Sequence, residues 1–186
     1  QWIIENKEVY KTKIINFSLG AIAQYKERRD PLVKAANRAI EKDLIVVAAV
    51  GNSGPMHSTI LSPATSRYVI SVGSLNDRGR SYYKNETIAE FSSRGPTLDR
   101  IRKPDLIAPG VDIMSLSNKN LSGYTTLSGT SMSAPMISGA AALLLNENPN
   151  YSHFDIKRIL LNSCQKIKAS SYEQGAGVLD MRRIFS

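Results

Sequence analysis

The sequence predicts an α/β fold, part of a doubly wound, mainly parallel sheet with helices on both faces. Three observations carry this. Short apolar runs alternate with stretches of helical period. The run Leu44–Val50 is apolar without alternation, as a parallel strand covered on both faces requires. Several runs stop at glycine-containing turns, where an open parallel sheet gathers its ligands. With 186 residues, 42% of them hydrophobic, the chain is expected to build one core and one domain over 1–186.

The elements follow in order. Trp2–Lys11 reads as a helix and Lys13–Gly20 as a short apolar strand stopped by glycine. Asp30-Pro31 is an N-cap followed by proline at the first helical position. Leu32, Ala35, Ala36, Ala39 and Ile40 recur behind it at helical spacing. The strand Leu44–Val50 ends in Gly51-Asn52-Ser53-Gly54, and Tyr68–Ser74 is the next strand. Residues 75–100 are polar and turn-rich, with a turn at Asn76–Gly79. Asp105–Gly110 is a short strand ended by Pro-Gly. From Thr130 to Leu145 runs a helix rich in Ala, Ser and Gly, expected to be buried because small side chains let backbones approach. Ser152-x-x-Asp155 reads as a capping box opening a last helix, Phe154–Ser163.

Composition excludes several classes. No run approaches the ~18 apolar residues of a membrane span, so no membrane partner is expected. The net charge is +8, yet Lys7, Lys11, Lys13, Arg28, Arg29, Lys34, Arg182 and Arg183 are scattered and interrupted by acids. That is the pattern of solvated faces, and no nucleic-acid partner is expected. The single cysteine, Cys164, sits in an apolar stretch and reads as a buried thiol. His57 and His153 read as surface residues. The chain opens at Gln1 without Met or a visible secretory signal, and is expected to begin inside a longer protein.

Three stretches bear chemistry. Leu127–Pro135, with Ser131 in Gly129-Thr130-Ser131-Met132, leads from a glycine-containing loop into the small-residue helix. Backbone N–H groups at a helix start favour developing negative charge, and glycine lets a carbonyl approach. Pro135 lacks the N–H that would bond back to Ser131, so the first turn is expected to be irregular. Ser131 is equally suited to cap the helix. Asn52, just past a strand, suits either an oxyanion donor or a simple turn. Ile15–Gly20 suits either an edge that pairs with an extended peptide or a plain strand end.

Together, INFSLG, VVAAVGNSG, SPATSRYVISVGS, FSSRGP, KPDLIAPGV and SGTSMSAP followed by SGAAALL resemble the subtilisin-like serine protease (subtilase, peptidase S8) family, in the family's order and over nearly the whole chain. The resemblance implies a serine endopeptidase acting on peptides or proteins. It makes Ser131 the nucleophile and Asn52 an oxyanion donor beside the Ser131 N–H. Ser18, Leu19, Gly20, Ala48, Ala49, Val50 and Gly51 become walls of the substrate cleft, with Gly129 and Thr130 beside the serine. The family often carries histidine where this chain has Met136, a position outside the triad.

The family's aspartate and histidine precede its serine, and neither motif occurs here. The chain therefore reads as the C-terminal portion of the catalytic domain, inactive alone. The strand Ile14–Leu19 is then expected to have been internal, leaving an edge that either pairs with another copy or is covered by residues 1–13. A pseudoprotease, a subtilase-fold peptide-binding or regulatory module, is the alternative. No cofactor is expected; calcium is common in the family, but no metal site is assigned. Extracellular location is the family's common habit.

Overall fold

The computed structural model of the chain describes residues 1–79, 86–119 and 122–185. Helix α1 (Trp2–Asn6) is followed by strand β1 (Ile14–Phe17), helix α2 (Pro31–Ile40) and strands β2 (Ile45–Ala49) and β3 (Ile70–Asn76). Next come β4 (Thr87–Ile88), β5 (Leu106–Pro109) and a hairpin of β6 (Ile113–Leu116) and β7 (Tyr124–Leu127). The long helix α3 (Thr130–Glu147) follows, then α4 (His153–Asn162), β8 (Cys164–Gln165), α5 (Ser171–Gln174) and β9 (Val178–Leu179). The main sheet runs β1-β2-β3-β5-β9-β8, with β4 added antiparallel to β3. Along that order the pairs from β1 to β9 are parallel, and β8 closes it antiparallel to β9.

Strand β2 shows why its sequence is apolar without alternation. Ile45, Val47 and Ala49 enter the core beneath α3 and α4, while Val46, Ala48 and Val50 enter a second core beneath α2. A strand covered on both faces needs hydrophobic residues at every position. Asp30 caps α2 as its sequence predicts, accepting from the N–H groups of Leu32 at 2.9 Å and Val33 at 3.1 Å. The capping box of Ser152 and Asp155 opens α4.

Four expectations are corrected. The first helix stops at Asn6 rather than Lys11: it buries no residue to hold it against core, and the chain leaves it through turns that end at Lys11 with a positive φ of 50°. Residues 1–13 do not cover the outer edge of β1: Ile4 packs instead on the α2 side, and β1 remains the end strand of its sheet. Helix α3 is buried on one face only. Ala134, Ile137, Ala141 and Leu144 face the core, whereas Met136, Gly139 and Leu143 lie open. His153 is not a surface residue but is 3% exposed. Its ring is wedged between two main-chain groups, with Nδ1 accepting from the Val46 N–H at 3.3 Å and Nε2 2.9 Å from the Tyr68 carbonyl. A carbonyl only accepts, so Nε2 carries the proton and the ring is neutral. Helix α3 carries Pro135 inside its length.

A charged cluster ties the strand starts together beneath the sheet. Lys103, fully buried, donates to Asp105 at 2.6 Å and to the Val69 carbonyl at 3.0 Å. Lys157 from α4 donates to the same carboxylate oxygen at 3.2 Å and to the carbonyls of Arg67, Tyr68 and Val69. Burial lowers the Lys103 ammonium to about 8, against the opposing pull of Asp105. Burial also works to raise Asp105, but Lys103 and Lys157 outweigh it and hold the carboxyl below its usual range.

Candidate active site

Three chain segments meet beyond the C-terminal ends of β1 and β2. Strand β1 delivers Ser18-Leu19-Gly20, β2 delivers Gly51-Asn52, and the turn after β7 delivers Gly129 and the start of α3. Ligands gather at this end of an open parallel sheet.

Ser131 is the second residue of α3 and does not cap it. The cap position belongs to Gly129, with no side-chain cap bond. The Ser131 hydroxyl instead donates to the Ser18 carbonyl at 3.2 Å, and Ser18 Oγ donates back to the Ser131 carbonyl at 3.0 Å. Pro135 explains the second contact. It offers no N–H to the carbonyl four residues back, so Ser131 C=O is left free for a partner outside the helix. The irregularity expected of the first turn is thus a single exchanged hydrogen bond.

Asn52 is held by the same helix start. Its Oδ1 accepts from both the N–H and the hydroxyl of Thr130, each at 2.9 Å, and Thr130 Oγ1 in turn accepts from the Gly51 N–H at 3.2 Å. The amide therefore presents its Nδ2 end away from Thr130, and a Cβ at Gly129 would lie 3.3 Å from that nitrogen. Among the described residues neither Asn52 Nδ2 nor the Ser131 N–H makes a hydrogen bond. Two donors thus stand uncommitted beside one hydroxyl.

The expected cleft residues divide into two kinds. Ser18, Leu19 and Gly20 are exposed. Ala48, Ala49, Val50 and Gly51 are buried, their alanine and valine side chains in the cores, so that wall offers main chain rather than side chains. Gly51 takes a φ of 104°, and a Cβ there would strike Leu61. Thr130 faces Asn52 rather than open space. His57 is exposed, with Nδ1 3.1 Å from the Gly95 carbonyl. Neither histidine of the chain contacts Ser131. Cys164 is buried and donates to the Leu160 carbonyl; burial pushes its thiol up to about 12, so it is no nucleophile. Among the described residues no group of three or more His, Cys, Asp or Glu is gathered to hold a metal ion. No helix among them is long and apolar enough to cross a membrane.

The family model of the subtilases (peptidase S8) matches residues 2–177. The chain belongs to the subtilase family. Among its curated relatives, serine protease AprX of Bacillus subtilis is 40% identical over 185 residues, covering 90% of this chain and 42% of AprX. Subtilisin DY of Bacillus licheniformis is 35% identical over 170 residues, covering 90% of this chain and 55% of that enzyme. Of solved structures, Sphericase superposes with a TM-score of 0.80 at 29% identity, over 95% of this chain and 60% of its own. The subtilase chain described here thus spans roughly half of these three relatives.

Ser18 and Thr130 are expected in the sequence reading as cleft residues, but the roles of their hydroxyls are not. The hydroxyls of Ser18 and Thr130 hold the Ser131 loop and the Asn52 amide. The missing N–H at Pro135 was the one available signal for Ser18, since it left the Ser131 carbonyl in need of a partner.

Proposed function

We propose that this chain supplies the nucleophile and oxyanion donors of a subtilisin-type serine endopeptidase, with Ser131 as the nucleophile. The observation that carries the reading is the uncommitted pair of donors, Asn52 Nδ2 and the Ser131 N–H, next to a serine hydroxyl that caps no helix. In the reaction, Ser131 Oγ adds to the substrate carbonyl carbon and its proton passes to a histidine oriented by an aspartate. The carbonyl oxygen takes up the negative charge between the two donors. Collapse breaks the peptide bond, the proton goes to the departing amine, and water then hydrolyses the acyl-serine.

The histidine and aspartate come, in this reading, from sequence outside the 186 residues, since neither His57 nor His153 reaches Ser131. The outer edge of β1 is the place where the rest of the catalytic domain pairs or, in its absence, a second copy does. Substrate lies between Ser18–Gly20 and Ala48–Gly51, with Gly129 and Thr130 beside the serine.

The test is hydrolysis of a chromogenic peptide by the 186-residue chain and by the longer protein that contains it. The chain alone is expected to show no Ser131-dependent hydrolysis, because an unassisted hydroxyl is a poor nucleophile. In the longer protein Ser131→Ala is expected to abolish turnover, and Asn52→Ala to lower it by about 10²–10³ with little change in KM. Hydrolysis by the chain alone that vanishes in Ser131→Ala overturns the missing-base reading. Full turnover in the Ser131→Ala longer protein overturns the assignment of the nucleophile.

A further inference from the structure

The loop that follows Gly20 gathers cations that the site above does not use. Gln24, Tyr25, Lys26, Arg28, Arg29 and Asp99 surround an open cavity of about 600 Å³. None of Ser18, Gly20, Asn52 or Ser131 lines it. Lys26, Arg28 and Arg29 are all exposed, and among the described residues none of the three is in an ion pair. The acids beside them are already engaged. Glu27 turns to Arg67, accepting from its N–H at 3.0 Å and from its Nε at 2.9 Å. Asp99 Oδ2 accepts from the Glu27 N–H at 2.6 Å, which ties this loop to the one between β4 and β5. The main chain under the cations is fixed as well. The Arg29 N–H donates to the Lys26 carbonyl at 2.8 Å. Asp30, which ends the loop, is buried and accepts from the Ser62 hydroxyl at 2.8 Å. Three like charges are thus held on one pinned turn.

We propose that Lys26, Arg28 and Arg29 form an accessory site, apart from the cleft, that takes an acidic segment of a protein substrate. Its link to a substrate rests on the reading under Proposed function; its ligand chemistry does not. Like charges crowded on a fixed turn repel one another, and an anion seated among them relieves that repulsion at little ordering cost in the main chain. The cavity favours a peptide over a phosphate chain. Asp99 on its rim repels a ligand that carries acceptors only, whereas a peptide also brings N–H groups that a carboxylate accepts. Gln24 and Tyr25 add an amide and a phenol, which pair with either kind of main-chain group. The site also stands within reach of the cleft. Lys26 is six residues beyond Gly20, at most about 20 Å along the chain, so the acidic segment lies within about six extended residues of the substrate part that passes Gly20.

The test uses the 186-residue chain and a fluorescein-labelled hexaglutamate peptide, followed by anisotropy and by the NMR amide signals of residues 26–29. The peptide is expected to shift those amides and to bind at least about ten-fold tighter than hexaglutamine, with affinity falling as salt rises from about 0.05 M to about 0.5 M. Arg28→Gln combined with Arg29→Gln is expected to weaken it about ten-fold. Lys26→Gln alone, a milder change, is expected to cost about three-fold and serves if the double variant does not fold. Lys166→Gln combined with Lys168→Gln removes the same charge from exposed positions elsewhere and is expected to change binding less than about two-fold. Equal losses in the two double variants reduce the effect to net charge and overturn the site. Tighter binding of a linear hexaphosphate than of hexaglutamate overturns the peptide assignment. Unmoved amides at 26–29 overturn both. A second peptide joins the glutamates through about six uncharged residues to an alanine-rich segment, and is expected to move the Gly20 and Ser131 amides too. If only residues 26–29 respond to it, the cleft reading falls, and with it the link to a substrate, while the acid-binding site remains.

Discussion

Replacing Pro135 by alanine tests how the start of α3 is built around Ser131. The proline is exposed, so an added N–H meets no steric obstacle, and it lies four residues after Ser131 in the helix. Proline in a helix interior is about 3 kcal/mol less favourable than alanine. Part of that deficit is already made up by Ser18 Oγ, whose bond to the Ser131 carbonyl at 3.0 Å contributes about 1 kcal/mol. A further loss of roughly 0.4–1 kcal/mol comes from the greater freedom of the unfolded chain once proline is gone. Pro135→Ala is therefore expected to stabilise the chain by about 1 kcal/mol, read as a higher urea midpoint at constant slope. The sharper measurement is a double-mutant cycle. Ser18→Ala is expected to cost about 1 kcal/mol in the unsubstituted chain and close to nothing in the Pro135→Ala background, where the helix satisfies the carbonyl itself. Equal costs in the two backgrounds refute the exchange of partners.

Two further outcomes follow from the buried charges. Asp105→Asn leaves Lys103 and Lys157 without their shared carboxylate and is expected to cost about 3 kcal/mol near pH 7. The deficit should shrink above about pH 8, where Lys103 discharges in the folded chain, so urea midpoints that stay equally far apart at about pH 7 and about pH 9.5 refute it. His153 is held neutral by burial with its folded value below 6.5, so the unfolded state takes up its proton first as pH falls. Its contribution is complete above about 6.5 and is lost below; His153→Gln is expected to flatten the fall in urea midpoint between about pH 7 and about pH 5, and an equally steep fall in the variant counts against this.

The sequence was most legible where one residue type has one physical use. The unbroken apolar run of β2, the Asp30-Pro31 start of α2 and the Ser152–Asp155 box each state their structure locally, and each element forms within two residues of its expected bounds. Long-range partners were less legible. Nothing near His153 announces that the N–H of Val46 and the carbonyl of Tyr68, 107 and 85 residues away, will bracket its ring. The hairpin of β6 and β7 carries exposed Met114, Leu116 and Tyr124, so it lacks the buried alternation that marks a strand. At the site, the motif gave Ser131 and Asn52, but not the hydroxyls that orient them. Ser18 and Thr130 act through bonds spanning 113 and 78 residues, which no local pattern encodes.

The two walls of the proposed cleft hang from strands of different standing. Gly51 and Asn52 follow β2, which has a parallel neighbour on each side and is buried along its whole length. Ser18–Gly20 follow β1, a four-residue strand paired on one side only. Amide exchange should therefore protect the first wall nearly as long as the global fold persists, while the second opens through local fraying. The cleft is a vice with one fixed jaw and one compliant jaw. If Asn52 is the oxyanion donor proposed above, it rides on the fixed jaw, and adjustment to differing substrates falls to Ser18–Gly20.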